Sequence, residues 1–331
     1  MRKSYLLSLL LLTEILHGQE ERSPKDDLLL GEGVHRYVWS KDFGKKADGS
    51  DWGNTHGCVQ VDSAGLIYVN TDTEDAVIVF DSEGRVVRTF GKQFKGGLHG
   101  MTIVKEGETE FLYLTHTARH EVVKATLEGE VVWTLGCPVV SGLYADPNKY
   151  APTSVVVSGA GHIYVADGYG LSWIHQFDKE RKYIRSFGGP GTEPGQLRTP
   201  HGLLIDTRTE PQTLLVADRE NQRLQRFDLS GKHLEVISGM FRRPCNLGLK
   251  DGFLVVPDLA GRVTILNQKN ELVAHLGDQP DPSKRARNGV AKDQWVVGQF
   301  LAPHGAAWGP DGHLYVLEWN KHGRIVKLIR Q

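Results

Sequence analysis

Short runs of apolar or alternating apolar and polar residues recur along the chain. Examples are Ala76-Val77-Ile78-Val79-Phe80 and Arg262-Val263-Thr264-Ile265-Leu266, and glycines separate them. Period-two runs of this length predict β-strands. No segment carries a 3.6-residue apolar stripe over three turns, so helix is expected to be nearly absent.

The runs are ordered into a unit that repeats six times. It starts with an apolar strand, and a glycine turn leads to a second strand of the Ile-Tyr-Val-x-Asp kind. After a polar turn comes a third strand, then an Asp-x-x-Gly turn, and a fourth strand ends in Phe-Gly. The second-strand cores are Leu66–Val69, Phe111–Leu114, His162–Val165, Leu214–Val216, Phe253–Val256 and His313–Val316. Four short strands per unit mark a propeller blade. An all-β, six-bladed β-propeller is therefore predicted, with blades near 56–91, 98–136, 150–188, 197–239, 243–277 and 300–331.

The sixth unit stops after three strands, while Val34–Trp39 reads as a strand with no neighbour in sequence. It is expected to complete the last blade and close the ring, which removes exposed sheet edges. Residues 19–331 then form one domain. The longest insertion, 278–299, carries Asp-Gln-Pro-Asp-Pro and Lys-Arg-Ala-Arg, and reads either as a solvated loop or as a lid over one face.

Glycine accounts for 38 of 331 residues, an excess that a turn-rich repeat requires. The formal net charge of −1 offers no electrostatic footprint for nucleic acid, so that class of partner is not expected. Met1-Arg2-Lys3 followed by the apolar Tyr5 to Leu12 predicts a signal peptide over 1–18 and a secreted or periplasmic protein. No later stretch is long and apolar enough for a membrane helix. Cys58, Cys137 and Cys245 are odd in number and lack C-x-x-C spacing, which suggests neither a disulfide framework nor a thiolate zinc site. Cys58 and Cys245 fall at similar phases of the repeat and read as small buried residues at strand starts.

First strands line the channel of a propeller, and here they begin with His56-Gly57, His99-Gly100, Thr153-Ser154, His201-Gly202, Cys245-Asn246 and His304-Gly305. Four imidazoles in register are poorly explained by chance. Histidines converging on an axis suit zinc or another borderline divalent transition metal. Hydrogen bonds to channel water are the structural alternative. The glycine after each histidine allows close backbone packing. Two further segments, Asp167-Gly168-Tyr169-Gly170 and Asp218-Arg219-Glu220-Asn221, follow second strands, in loops where propellers present ligand-binding residues.

The blade pattern resembles NHL repeats. Ile-Tyr-Val-Ala-Asp-Gly-Tyr at 163–169, Leu-Arg-Thr-Pro-His-Gly at 197–202 and Val-Ala-Asp-Arg-Glu-Asn-Gln-Arg at 216–223 are similar to the peptidyl-α-hydroxyglycine α-amidating lyase domain. The resemblance is densest from Pro152 to Lys232. It implies a lyase that cleaves a peptidyl-α-hydroxyglycine to a peptide amide and glyoxylate. It further implies zinc ligands at His99, His201 and His304, a catalytic tyrosine at Tyr169 and a substrate-binding arginine at Arg219.

The chain also departs from the family. Ala302 and Gly305 stand where the lyase has methionine and aspartate, which argues against a structural calcium ion. Gly170 and Arg226 replace disulfide cysteines, and the amino-terminal active-site arginine has no counterpart. His56 takes that blade's inner position, where it either completes a closed metal site or replaces the arginine. Three functions follow: an exported metal-dependent lyase, a non-catalytic NHL module binding a peptide or protein, and a calcium-dependent hydrolase or lactonase. The last is disfavoured, because calcium wants oxygen ligands. A monomer is expected.

Overall fold

A computed structural model describes residues 29–331. The expected signal peptide over 1–18 lies outside the described residues. Within them, strands form six antiparallel sheets, and the remaining regular elements are short 3-10 turns. The sheets are the six blades of a propeller. Blade one, for example, comprises Thr55–Val61, Ile67–Thr71, Val77–Phe80 and Val86–Phe90, each paired with the next.

Burial along each blade follows distance from the axis. The second strand of blade four, Thr213–Asp218, is buried throughout, whereas the outer strand of blade one, Val86–Phe90, is mostly exposed. Apolar side chains on the two faces of each sheet meet those of the neighbouring blades, giving six interblade cores. Leu112, Leu114 and Val123 of blade two pack on Tyr68, Val77 and Val79 of blade one. Tyr315 and Leu317 of blade six pack on Ile67, Ile78 and Phe80 of blade one, so the ring is closed by apolar contact as well as by pairing.

The closing strand is shorter than the sequence suggests. Gly33–His35 forms a 3-10 turn, and the strand is Tyr37–Trp39, registered with Tyr37 opposite Arg330 and Trp39 opposite Leu328. Val34 and His35 lie inside that turn, which His35 N–H closes by donating to the Glu32 carbonyl (3.0 Å), so the strand does not begin at Val34. Leu29–Leu30 pairs with Tyr37–Trp39, so blade six carries a fifth strand that the repeat does not predict. In blade five the first strand is only Gly248–Lys250, with Cys245 and Asn246 just ahead of it and an isolated bridge from Pro244 to Asp258.

Turns obey the local chemistry of their residues. Between the outer strands of blade four, Asp228 accepts from the backbone N–H groups of Ser230 and Lys232, at 2.9 Å each. Gly231 there has a φ of +92°, which a side chain would strain. The insertion 278–299 is held at its start and in its middle. Gln279 N–H donates to Gly261 (2.8 Å), Ala286 N–H to Leu301 (2.9 Å) and Lys321 N–H to Asn288 (3.2 Å). Ala286 and Trp319 pack against Cys245, Leu259 and Ala302, which sets the insertion beside one end of the channel.

Candidate metal centre and active site

That end of the channel holds the histidines. His99, His201 and His304 are each 2% exposed. Their ring centroids are 4.7 Å (His99 to His201), 4.7 Å (His201 to His304) and 5.1 Å (His99 to His304) apart. The His56 ring lies 4.8 Å from His99 and 5.0 Å from His304, on the more open side.

Each of the three buried rings is keyed to the backbone of the next blade. Nδ1 of His99 donates to the Thr153 carbonyl (2.8 Å), that of His201 to Cys245 (2.9 Å) and that of His304 to Gly57 (2.8 Å). A carbonyl only accepts, so Nδ1 carries the proton and Nε2 keeps its lone pair. Burial drives all three imidazoles well below their usual pKa, so they are neutral. A neutral imidazole with Nδ1–H on a carbonyl and a free Nε2 is the form that binds a metal.

The following glycines make this arrangement possible. A Cβ on Gly100 would lie 2.5 Å from the Thr153 carbonyl, and one on Gly202 would lie 2.5 Å from that of Cys245. These are the carbonyls that hold His99 and His201. Only a hydrogen in place of Cβ lets adjacent blades approach closely enough for the Nδ1 bonds to form.

Tyr169 and Arg219 complete the mouth. The Tyr169 hydroxyl is 3.0 Å from His201 Nε2, 3.2 Å from His99 Nε2 and 3.5 Å from His56 Nε2. Arg219 donates from Nη1 to that hydroxyl at 3.3 Å, and its guanidinium lies over the phenol ring, 5.4 Å from the centroid. Burial raises the phenol pKa and Arg219 opposes the rise, with burial prevailing. Tyr169 as a residue is 39% exposed while its hydroxyl sits among the axial imidazoles, so the side chain spans from solvent to the axis.

The two loops that carry these side chains are braced from behind. Asp167 is fully buried and accepts from Ala151 N–H (2.7 Å), Leu171 N–H (2.6 Å) and the Tyr144 hydroxyl (2.6 Å). Asp218 plays the same part in blade four, accepting from Arg198 N–H (2.7 Å), Arg223 Nε (2.7 Å) and Gln225 Nε2 (2.9 Å). The aspartate that opens each loop thus braces it, and the functional atoms lie on the residues that follow, Tyr169 and Arg219.

All six residues expected from the sequence meet at the mouth: His56, His99, His201, His304, Tyr169 and Arg219. Three others join them unforeseen. Glu220 takes Arg219 Nε at 2.9 Å and Arg243 Nη2 at 2.5 Å, so Arg219 is already paired on one side. Trp319 stands with its ring 6.0 Å from that of His56. The third is Cys245. The ligating atoms of His201, Cys245 and His304 lie within 4.8 Å of one another, as do those of His56, His99 and His304. Burial pushes the Cys245 thiol up to about 12, against the pull of Arg219.

The donor set decides which metal this centre suits. The Nε2 atom of His304 is buried with no hydrogen-bond partner, a cost that a metal ion would relieve. Nitrogen and sulfur donors fit zinc and its transition-metal neighbours and do not fit calcium. The positions of the absent disulfide are otherwise engaged. Arg226 bonds Asp206 (2.7 Å) and Glu235 (3.0 Å), and all three cysteines are free.

Fold and site define the class: a six-bladed β-propeller of NHL type, with imidazoles converging at one mouth of its channel. No protein-family model matches the chain. Over 260 residues, 73% of this chain and 24% of the relative, it is 33% identical to a Mus musculus protein named peptidyl-glycine alpha-amidating monooxygenase. It is 30% identical over 275 residues, 75% of this chain and 47% of the relative, to Drosophila melanogaster peptidyl-alpha-hydroxyglycine alpha-amidating lyase 1. A solved streptogramin B lyase superposes with a TM-score of 0.61 over 91% of this chain and 100% of that one, at 14% identity, a likeness of fold alone. The chain is thus an NHL propeller that resembles peptidyl-α-hydroxyglycine α-amidating lyase, and it spans 24% of the length of the mouse relative.

Among the described residues, no helix is long and apolar enough to cross a membrane.

Proposed function

We propose that this chain is an exported, metal-dependent carbon–nitrogen lyase acting on peptidyl-α-hydroxyglycines, releasing a peptide amide and glyoxylate. The observation that carries the proposal is the Tyr169 hydroxyl, 3.0 Å from His201 Nε2, 3.2 Å from His99 Nε2 and 3.3 Å from Arg219 Nη1. A proton-transfer group, a cation and a set of metal-ready lone pairs share one small volume. The relatives named as amidating lyases support the reaction class, and the apolar segment near the amino terminus supports export.

When bound by Nε2 of His99, His201 and His304, a divalent transition metal supplies concentrated positive charge, favouring the ionised forms of a substrate hydroxyl and of the phenol beside it. The protein's own groups do the rest. Tyr169 oxygen takes the hydroxyl proton of the α-hydroxyglycine. The electron pair left on that oxygen forms the aldehyde C=O as the C–N bond breaks, and the nitrogen leaves with the bonding pair. Tyr169 returns the proton to this nitrogen, so the products balance as amide and glyoxylate. Arg219, with Nε held by Glu220, presents its Nη atoms toward the mouth, where they orient the substrate carboxylate. The braced Asp167 and Asp218 loops keep Tyr169 and Arg219 in place between turnovers.

Purified protein incubated with an α-hydroxyglycine-extended peptide is expected to release glyoxylate. Tyr169→Phe should slow that release by roughly 10²- to 10⁴-fold while substrate affinity holds. A metal-loaded protein that binds the peptide without producing glyoxylate would instead identify a non-catalytic peptide-binding propeller.

A further inference from the structure

We infer that Cys245 supplies a thiolate ligand to the metal held by the axial histidines, making the centre a mixed imidazole and sulfur site. The inference rests on the reading that this mouth binds a transition metal, and concerns what else binds it.

The repeat places Cys245 in blade five where blades one, two, four and six place His56, His99, His201 and His304. Five of the six inner strands therefore bring a metal-ligating side chain to the same phase. The sixth, in blade three, has Thr153, whose hydroxyl is already engaged with the Pro200 carbonyl at 2.8 Å. Cys245 is fully buried, and its sulfur lies within 4.8 Å of the ligating atoms of both His201 and His304. Zinc binds nitrogen and sulfur at about 2.0–2.3 Å, so neighbouring ligand atoms sit roughly 3.5 Å apart. Closing the observed spacing needs a contraction of about one ångström between side chains that all face the axis.

Two further features separate a ligand from a merely buried thiol. His304 is 2% exposed, its Nε2 has no partner, and the residue belongs to the same group of donors as Cys245. The Cys245 backbone carbonyl accepts the Nδ1 proton of His201, so one residue orients a neighbouring imidazole and offers its own sulfur beside it. On metal binding, the Sγ–H proton passes to solvent and the sulfur pair forms the new bond, with no change of oxidation state. His304 has one free nitrogen and so serves one ion, leaving His56 at the open side facing substrate. Such a donor set selects zinc, cobalt or cadmium over magnesium and calcium.

Cobalt(II) reports thiolate ligation by a near-ultraviolet sulfur-to-metal charge-transfer band, independently of activity. Titrating the metal-depleted full chain with cobalt(II) should give that band at one equivalent. Cys245→Ser should abolish it and weaken cobalt binding by more than the roughly 10- to 100-fold that loss of an outer-shell partner costs. Because only three cysteines exist, the double variant Cys58→Ala, Cys137→Ala provides the same assignment should the serine variant not fold, and it must keep the band. Stoichiometric cobalt without the band overturns thiolate ligation and leaves the lyase proposal standing. A band that survives Cys245→Ser, or vanishes in the double variant, likewise overturns it. Failure to bind cobalt at all overturns both.

Discussion

His99, His201 and His304 have both ring nitrogens assigned by their surroundings, one to a carbonyl of the next blade and one to the axis. A single substitution therefore removes a ligand without altering the others' tautomers. Protein purified with its native metal should contain one equivalent of a transition metal, and His201→Ala should lose most of it, measured by elemental analysis. An unchanged metal content in that variant would locate the metal elsewhere. Arg219 illustrates the opposite situation, a side chain divided between Glu220, Tyr169 and the space where a carboxylate would sit.

At the scale of strands and loops, the histidine mouth depends on how closely inner strands approach. Gly202 is the sharpest case, because an added Cβ would stand 2.5 Å from the Cys245 carbonyl and 2.7 Å from Asn246 Cα. Both are backbone atoms and neither can rotate away. Gly202→Ala is expected to destabilise the protein by roughly 1–3 kcal/mol, the usual cost of overpacking. It should also loosen metal binding, since the clash pushes apart the two residues joined through His201 Nδ1. Gly136→Ala is the control: nothing lies within 4 Å of its Cβ and its backbone is not left-handed. Thermal denaturation should show a clear loss for the first and little change for the second.

Across the whole molecule, blades are joined by apolar cores and by a few buried charges. At the far end of the strand that starts beside His201, Asp206 bonds Arg208 and Arg226, and Arg208 reaches across to Asn267 (3.1 Å) and Asn270 (2.9 Å) of blade five. Burial alone would push the Asp206 carboxyl up, but the bonds from Arg208 and Arg226 outweigh it and hold it at about 2, below the ordinary 3.8. A carboxyl depressed on folding contributes stability that is full above its unfolded value and is lost as pH falls toward the folded one. The contribution is about 2 kcal/mol, lost between roughly pH 4 and pH 2. Chemical denaturation across that interval should show the loss in the wild type. In Asp206→Asn, which begins less stable at neutral pH, the slope should be shallower by that amount.

Side-chain alternation was enough to count the blades, because a strand's period of two is written in consecutive residues. The phase of His56, His99, His201 and His304 was equally legible, since every blade restarts the same pattern. Other features depended on residues far away in the chain. The Nδ1 partners of His99, His201 and His304 lie 54, 44 and 247 positions distant, and no local pattern announces them. The shortened closing strand, the added Leu29–Leu30 pairing and the Glu220 bridge between Arg219 and Arg243 arose in the same way. Cys245 shows where the boundary lies. Its repeat phase was visible in the sequence, yet only the packing of blades four, five and six around one axis brought its sulfur within reach of His201 and His304. Local periodicity determined what each blade is. The approach of neighbouring blades, set by side-chain volume and the missing Cβ of a few glycines, decided what the blades hold between them.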